Sequence, residues 1–259
     1  MKRSLWICPL LLGMTGLSLF ADGPPLRIGM EMAYPPFEMT DEQGKPAGVS
    51  VELARALGQE LGRPVELQNI AFDGLIPSLK TGKIDLIISS MTANEERAKS
   101  IAFSDPYLTT GLGLLVPKEG TTDKISTLDQ KGRKVAVKKG TTGHLYAMNH
   151  IKNAEVLVFD KESAAVLEVG QGKADAFLYD QMSVFQNAKK NPSKLRAILT
   201  PFQTESWAIG LRKGDDALRL QVNAFLAKFR KEGGFEKLGD KYLREQKAAF
   251  AAQGIPFLF

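Results

Sequence analysis

Cysteine is all but missing from this sequence. The single one, Cys8, lies inside an apolar N-terminal run. A mature chain that sheds this run has no disulfide, no thiolate nucleophile and no cysteine metal ligand. Histidine is nearly as scarce: His144 and His150 are the only two. On a helix their i, i+6 spacing keeps them off a common face, which argues against a metal pair and leaves no metal site or cofactor expected. Beyond residue 20 no hydrophobic run is long enough to span a bilayer, and mean hydropathy is −0.13. Large blocks of one charge are missing too. The densest basic stretch, Lys131 to Lys139, alternates with apolar residues and reads as a solvated strand end rather than a nucleic-acid surface.

What is present is ordinary globular material. The chain has 259 residues, 44% hydrophobic and 24% charged, with net charge +5. That length allows one large domain or two modest ones. The first residues stand apart. Lys2 and Arg3 precede an apolar stretch from Leu5 to Phe20, and no acidic residue occurs before Asp22. This is the pattern of a secretory signal peptide at 1–21, with cleavage after Ala21. Leu19 is larger than the −3 position prefers, and an uncleaved anchor is the alternative. Loss of Lys2 and Arg3 lowers the net charge to +3. An exported chain without disulfides must be stabilised by its core.

The remainder alternates between strand and helix patterns. Strands are expected at Leu26–Met30, Val65–Ile70, Ile84–Ser89, Gly111–Val116, Val135–Val137, Val156–Phe159 and Ala174–Tyr179. Helical spacing marks Gly48–Leu61, a short helix from Gly74 to Lys80 capped by Asp73, and two C-terminal helices near Asp215–Lys231 and Phe235–Arg244. The pattern predicts an α/β fold with mostly parallel sheets. One echo stands out. Leu79 to Ile88 reads LKTGKIDLII and Val169 to Leu178 reads VGQGKADAFL. Each is a helix end, a Gly stop, a Lys and a strand opening on Asp, as expected if two similar lobes share one unit.

Ligands in open α/β sheets sit beyond the carboxyl ends of strands. The first strand runs into Glu31 and the turn Tyr34-Pro35-Pro36-Phe37-Glu38. The Ile84 strand runs into Ser89, Ser90 and Thr92, then Arg97 in the first turn of a helix. The Val135 strand runs into Lys138, Lys139, Gly140, Thr141 and Thr142. The Ala174 strand ends at Tyr179-Asp180. Hydroxyls and helix N-termini favour an anion, Arg97 can grip a carboxylate with two bonds, and Asp180 offers a carboxylate to a cation. That inventory suits an α-amino acid.

With these motifs placed, the chain resembles the family 3 periplasmic solute-binding proteins that serve ABC transporters for polar amino acids. The resemblance rests on YPPFE at 34–38, FDGLIPSL at 72–79, GKIDLIISSMTANEER at 82–97, FSDPY at 103–107, KKGTTG at 138–143 and GKADAFLYD at 172–180. It implies a two-lobed, type II periplasmic-binding-protein fold with the cleft between lobes joined by two crossing strands. Lobe 1 would comprise 22–110 and 204–259, and lobe 2 would comprise 111–203. Crossings would fall near Thr109–Gly113 and Gln203–Ser206. By position, Arg97, Thr92 and backbone N–H groups near Thr141 and Thr142 would hold the ligand carboxylate. Ser90 and Asp180 would hold its ammonium, with Ser89 beside them. Tyr34 and Phe72 would flank the side chain, and Glu31 and Lys138 would face its far end. The partners implied are an amino acid and a membrane permease, with the protein acting as a monomer in the periplasm.

The same resemblance includes cyclohexadienyl dehydratases. Those enzymes carry a glutamate one turn after the aspartate matching Asp180, where this chain has Ser183. Glu31 and Asp180 are the only obvious cleft carboxylates from sequence, and both have binding roles, so binding without catalysis is expected. An acid and a Lys at the far end suit an amide best, which places glutamine ahead of arginine or glutamate. The apolar tail, Ala248 to Phe259, is expected to pack on lobe 1, with a partner contact as the alternative.

Overall fold

A computed structural model describes residues 23–256 and Phe259. The expected signal peptide, with Cys8 and Ala21, lies outside them. The first half contains β1 (Leu26–Met30), a small hairpin of β2 (Met39–Thr40) and β3 (Pro46–Ala47), α1 (Val49–Glu60), β4 (Val65–Asn69), α2 (Phe72–Lys80), β5 (Leu86–Ile87), α3 (Glu95–Ala98) and β6 (Ala102–Phe103). The long β7 (Leu108–Pro117) then opens a second unit. It holds β8 (Lys134–Lys138), α4 (Thr142–His150), β9 (Glu155–Phe159), α5 (Glu162–Gly170), β10 (Ala176–Asp180) and α6 (Gln181–Lys190). The equally long β11 (Leu195–Trp207) leads back to β12 (Gly210–Leu211) and three helices: α7 (Asp216–Lys231), α8 (Gly234–Tyr242) and α9 (Arg244–Ala252).

Two five-stranded sheets result, in the orders β4-β1-β5-β12-β6 and β11-β7-β10-β8-β9, and they form the two lobes of the type II fold. The expectation of mostly parallel sheets is corrected. Pairing is parallel in β4-β1-β5 and in β10-β8-β9, where helices make the crossovers. It is antiparallel where β12 meets β5 and β6, and where β7 meets β10 and β11. Antiparallel neighbours need no crossover helix, so strands that enter a sheet from the other lobe join it this way. β7 and β11 pair along most of their length, from Leu195 opposite Pro117 to Trp207 opposite Leu108, with a register shift between Ile198 and Gln203.

The helices follow the apolar spacing. α1 buries Val49, Val51, Leu53, Ala54 and Leu57 on one side. It opens at Gly48, whose φ of +112° no side chain adopts comfortably and where a Cβ would lie 2.4 Å from the Phe37 carbonyl oxygen. α2 starts at Phe72, capped by Ala71, so Asp73 is not the cap. Asp73 lies in the first turn instead, where its charge favours the helix N-terminus, and it pairs with Lys139 at 2.9 Å. Residues Ile84 to Ile88 are buried as expected, although only Leu86 and Ile87 count as strand. The tail forms α9, beyond the helix expected to end at Arg244. Phe250 is buried and meets Phe185 of α6 edge-on at 6.1 Å, while Phe259 stacks on Phe235 of α8 at 5.3 Å.

The internal echo is structural. Gly82 and Gly172 end their helices at φ +73° and +70°, conformations that glycine adopts without strain. Both following lysines donate their N–H back to the helix, Lys83 to Ser78 and Lys173 to Glu168, at 3.0 Å each. Asp85 then accepts from the Arg27 backbone N–H at 3.1 Å and pairs with its guanidinium at 2.8 Å. Asp175 accepts from the Lys134 N–H at 2.8 Å and pairs with Arg133. One turn therefore ties each helix–strand unit to the strand beside it. Asp85 is the drier of the two, 11% exposed against 26%, and it also receives Arg212 at 3.2 Å. Asp85→Ala is expected to lower stability by about 2 kcal/mol, and Asp175→Ala by less, because charged hydrogen bonds lose strength with exposure. Urea melts of both variants check this. A larger loss at Asp175 would contradict it.

Candidate functional site

The site is assembled from four strand ends. After β1 the chain makes a closed turn in which Tyr34 and Glu38 exchange backbone hydrogen bonds of 2.8 and 3.0 Å. The two prolines between them cannot extend a strand. The turn stacks Tyr34 on Phe37 at 5.7 Å and sets Phe37 edge-on to Trp207 at 4.9 Å. It also turns the Glu38 side chain inward, where it is buried and accepts from Ser50 at 2.6 Å and Ser90 at 3.1 Å. Glu31, at the strand end, donates its N–H to the Ser89 hydroxyl at 3.0 Å.

Beyond β5, Ser90 has φ +48°, the left-handed region that a side chain normally avoids. Non-glycine residues held there concentrate at functional sites. Asn94 caps the four-residue α3 by accepting from the Arg97 N–H at 2.8 Å. That cap fixes Arg97 in the first turn with its side chain directed into the cleft. Arg97 is 5% exposed. It donates to the Thr92 carbonyl at 2.7 Å and, across the cleft, to the Gly140 carbonyl at 3.0 Å. Burial lowers its pKa to about 10, so it stays charged at neutral pH.

The second sheet supplies the opposite wall. Thr141 caps α4 by accepting from the His144 N–H at 3.3 Å. Asp180 caps α6, and its Oδ1 accepts from the Met182 and Ser183 N–H groups at 2.9 and 3.1 Å. The same oxygen takes the Tyr34 hydroxyl at 2.5 Å from the other lobe. Lys138, 3% exposed, forms an ion pair with Glu31, also across the cleft. The Phe72 ring carries Arg97 at 5.4 Å and Lys138 at 5.7 Å from its centre.

One cavity gathers these groups. Glu31, Tyr34, Phe72, Ser89, Ser90, Thr92, Arg97, Thr141, Thr142 and Asp180 all line it. Lys138 does not. It lines the adjoining cavity and reaches the site through Glu31. Four further residues join the lining: Glu38, Tyr179, Glu205 and Trp207. The expectation that Glu31 and Asp180 are the only cleft carboxylates is therefore corrected. Glu38 closes the YPPFE motif, and the turn of that motif is what buries it. Glu205 comes from β11, where it accepts from Thr92 at 3.1 Å, and nothing in the local pattern of that strand marks it. Behind the wall, Glu162 is half-buried, lines the adjoining cavity and accepts from Ser183 at 2.5 Å and Asn187 at 2.7 Å. His144 and His150 lie on α4 outside the cavity lining, although His144 Nδ1 accepts from the Gly140 N–H at 3.2 Å, and among the described residues no cluster of His, Cys, Asp and Glu could hold a metal ion.

Burial dominates the electrostatics of these acids. It lifts Glu38 from 4.5 to about 8 and Asp180 from 3.8 to about 7, against the hydrogen bonds that each accepts. Glu205 and Glu162 are raised by burial too. A dry pocket with this many carboxyl groups and one central guanidinium favours a ligand that brings both a carboxylate and a positive charge.

The chain matches a family model described as bacterial extracellular solute-binding proteins, family 3, over residues 26–245. An L-arginine-binding protein of Pseudomonas aeruginosa is 34% identical over 251 residues, covering 93% of this chain and 96% of its own. An L-cystine-binding protein of Escherichia coli is 32% identical over 218 residues, 84% of this chain and 82% of its own. The solved structure of an ancestral arginine-binding protein bound to arginine superposes with a TM-score of 0.80 at 35% identity, covering 85% of this chain and 98% of that one. These relatives are binding proteins, not enzymes.

The raised acids carry a pH signature. A carboxyl group whose pKa rises on folding takes up a proton, so its contribution to stability is present below the unfolded value and is lost as pH rises through the folded one. For Glu38 that window runs from 4.5 to about 8. The melting temperature of ligand-free protein is expected to fall across this range, and Glu38→Gln to flatten the fall, with Asp180 leaving a residual slope. Calorimetric melts at pH 5 and 8 measure it. Equal slopes in both proteins would contradict the assignment.

Proposed function

The chain belongs to the bacterial extracellular solute-binding proteins, family 3, and on that premise we propose that it captures a polar L-amino acid in the periplasm and delivers it to an ABC-transporter permease. The observation that carries this reading is Arg97, a buried guanidinium at the centre of a cleft whose far wall presents Asp180. An α-amino acid carries one charge for each. Its carboxylate would meet Arg97, the Thr92 hydroxyl and the α4 N-terminus at Thr141 and Thr142, where the helix start favours an anion. Its ammonium would meet Asp180 and Ser90. Tyr34 and Phe72 would sandwich the side chain. The arginine- and cystine-binding relatives fit this class, since both ligands share the α-amino-carboxylate head.

The glutamine-first ordering rests on one amide bridging Glu31 and Lys138, and in the structure these two pair with each other, which weakens the support for that order. The amino acid class stands on Arg97 and Asp180 without them.

Two outcomes follow. Arg97→Ala is expected to weaken amino acid binding at least tenfold, since a charged hydrogen bond in a dry site contributes roughly 1.5–3 kcal/mol. Arg97→Lys should weaken it also, because an ammonium lacks the planar fork. Titration calorimetry reads both, and wild-type affinity in Arg97→Ala would remove the site. Secondly, a ligand held by both lobes stabilises the closed arrangement by differential contact. Small-angle scattering should then show a smaller radius of gyration at saturation than without ligand, and superimposable curves would refute the closure.

A further inference from the structure

The carboxylate end of the cavity contains an acid. Glu205, 3% exposed, lines the cavity with Arg97, Thr92 and Thr142, and the Arg97 charge acts on it. The backbone puts it there. Thr92 bridges to Trp207 of β11, and the Ala93 N–H donates to the Ser206 carbonyl at 2.9 Å. Glu205 and Trp207 share a face of that strand, so the Thr92 side chain reaches the acid. Its hydroxyl donates to Glu205 Oε2 at 3.1 Å. Thr142, the first residue of α4, brings a second hydroxyl hydrogen bond from the other lobe. The Gln203 amide donates to Oε1 at 3.3 Å.

These hydroxyls cannot serve two anions at once. Each has a single hydrogen, and an ionised carboxylate only accepts. While Glu205 is charged, the Thr92 hydrogen points at it. An arriving ligand carboxylate would then meet a hydroxyl oxygen instead of its hydrogen. We propose that Glu205 is a positioning residue of the carboxylate subsite: it takes a proton from solvent when the amino acid binds, and so turns the threonine hydroxyls from itself to the ligand. The inference rests on the amino acid reading above. Hydrogens and charge balance. Protonated Glu205 donates to one hydroxyl oxygen, and that hydroxyl passes its own hydrogen to the ligand. The other hydroxyl no longer faces a charge and can turn as well. One anion enters and one is neutralised, so Arg97 faces a single carboxylate before and after.

The surroundings of Glu205 suit such a change. Burial disfavours its charge, while Thr142, Thr92, Arg97 and Gln203 favour it. Asp180 on β10 is a second acid whose charge interacts with it. Thr110, opposite on β7, is neutral. Thr142 and Gln203 also line an outer cavity that carries Glu95, Glu96, Lys99 and His150, all exposed and screened by water. Two like charges sharing a dry site drive a proton onto one of them. An α-carboxyl group is a stronger acid than a glutamate side chain, so the proton goes to Glu205.

Titration calorimetry at pH 8, in buffers of different ionisation heat, counts the protons that move on binding. L-Arginine, L-cystine, L-histidine and L-glutamine serve as probes. Wild type is expected to show net uptake approaching about one proton per amino acid bound. Asp180, at about 7, is then largely ionised, and any proton leaving it or Glu38 on meeting the ammonium is a release, so uptake has one source. Glu205→Gln should abolish the uptake and bind at least as tightly as wild type at pH 8. Raising the pH should lower wild-type affinity relative to the variant's, by up to about tenfold per pH unit. A glutamate that only braces the strand would weaken binding when replaced and leave the proton count unchanged; that result would overturn the inference and leave the amino acid reading in place. Net proton release by wild type at pH 8 would overturn it equally, and decides alone if thermal melts show the variant unfolded. Binding of none of the four probes would remove the amino acid reading and this inference with it.

Discussion

Everything in the cleft depends on keeping one guanidinium charged where almost no water reaches it. Arg97 manages this with carbonyl oxygens from both lobes, Thr92 on its own side and Gly140 on the other. Carbonyl dipoles stabilise a cation without neutralising it, so positive charge remains available to an incoming anion. The Asn94 cap holds the short α3 that aims the side chain, and Phe72 supplies a face beneath it. Gly140 can serve because the loop turns there at φ +75° beside Asp73, 3.2 Å from where a Cβ would stand.

The acids give the cleft its opposite character. Glu38 and Asp180 sit among hydroxyl and backbone donors, and burial still outweighs those hydrogen bonds. Asp180 shows how economically the site is made. One oxygen caps α6 and receives Tyr34 from across the cleft, so the helix start, the lobe contact and the site wall are one group. Removing that carboxylate would therefore disturb more than ligand contact.

Much of this was legible in the sequence because local chemistry dictates it. The Gly-Lys-x-Asp echo is readable since a glycine stop and an Asp that accepts from the next strand recur at the same offsets, and both copies fold alike. The hydroxyl and Arg positions were readable since strands must end where ligands gather. Strand direction was not. Apolar runs such as Leu112 to Val116 are equally compatible with parallel and antiparallel neighbours. Glu38 and Glu205 escaped for a related reason: a single charged residue in a turn or an edge strand looks solvated until tertiary packing covers it. The pairing of Glu31 with Lys138 is likewise a product of two lobes meeting, which no one-dimensional spacing encodes.

The C-terminal helix has a mechanical consequence. α6 begins at Asp180 in the cleft and runs outward to Phe185 and Lys189, which meet Phe250 and Glu245 of α9. α9 in turn follows α8, whose Phe235 stacks on Tyr107 at 6.4 Å, at the threshold of β7. A helix of ten residues is stiff, so α6 joins the cleft wall at Asp180 and the contact with α9 in one rigid element. A buried wall of the site and a patch on the outside of the molecule are therefore two ends of the same rod.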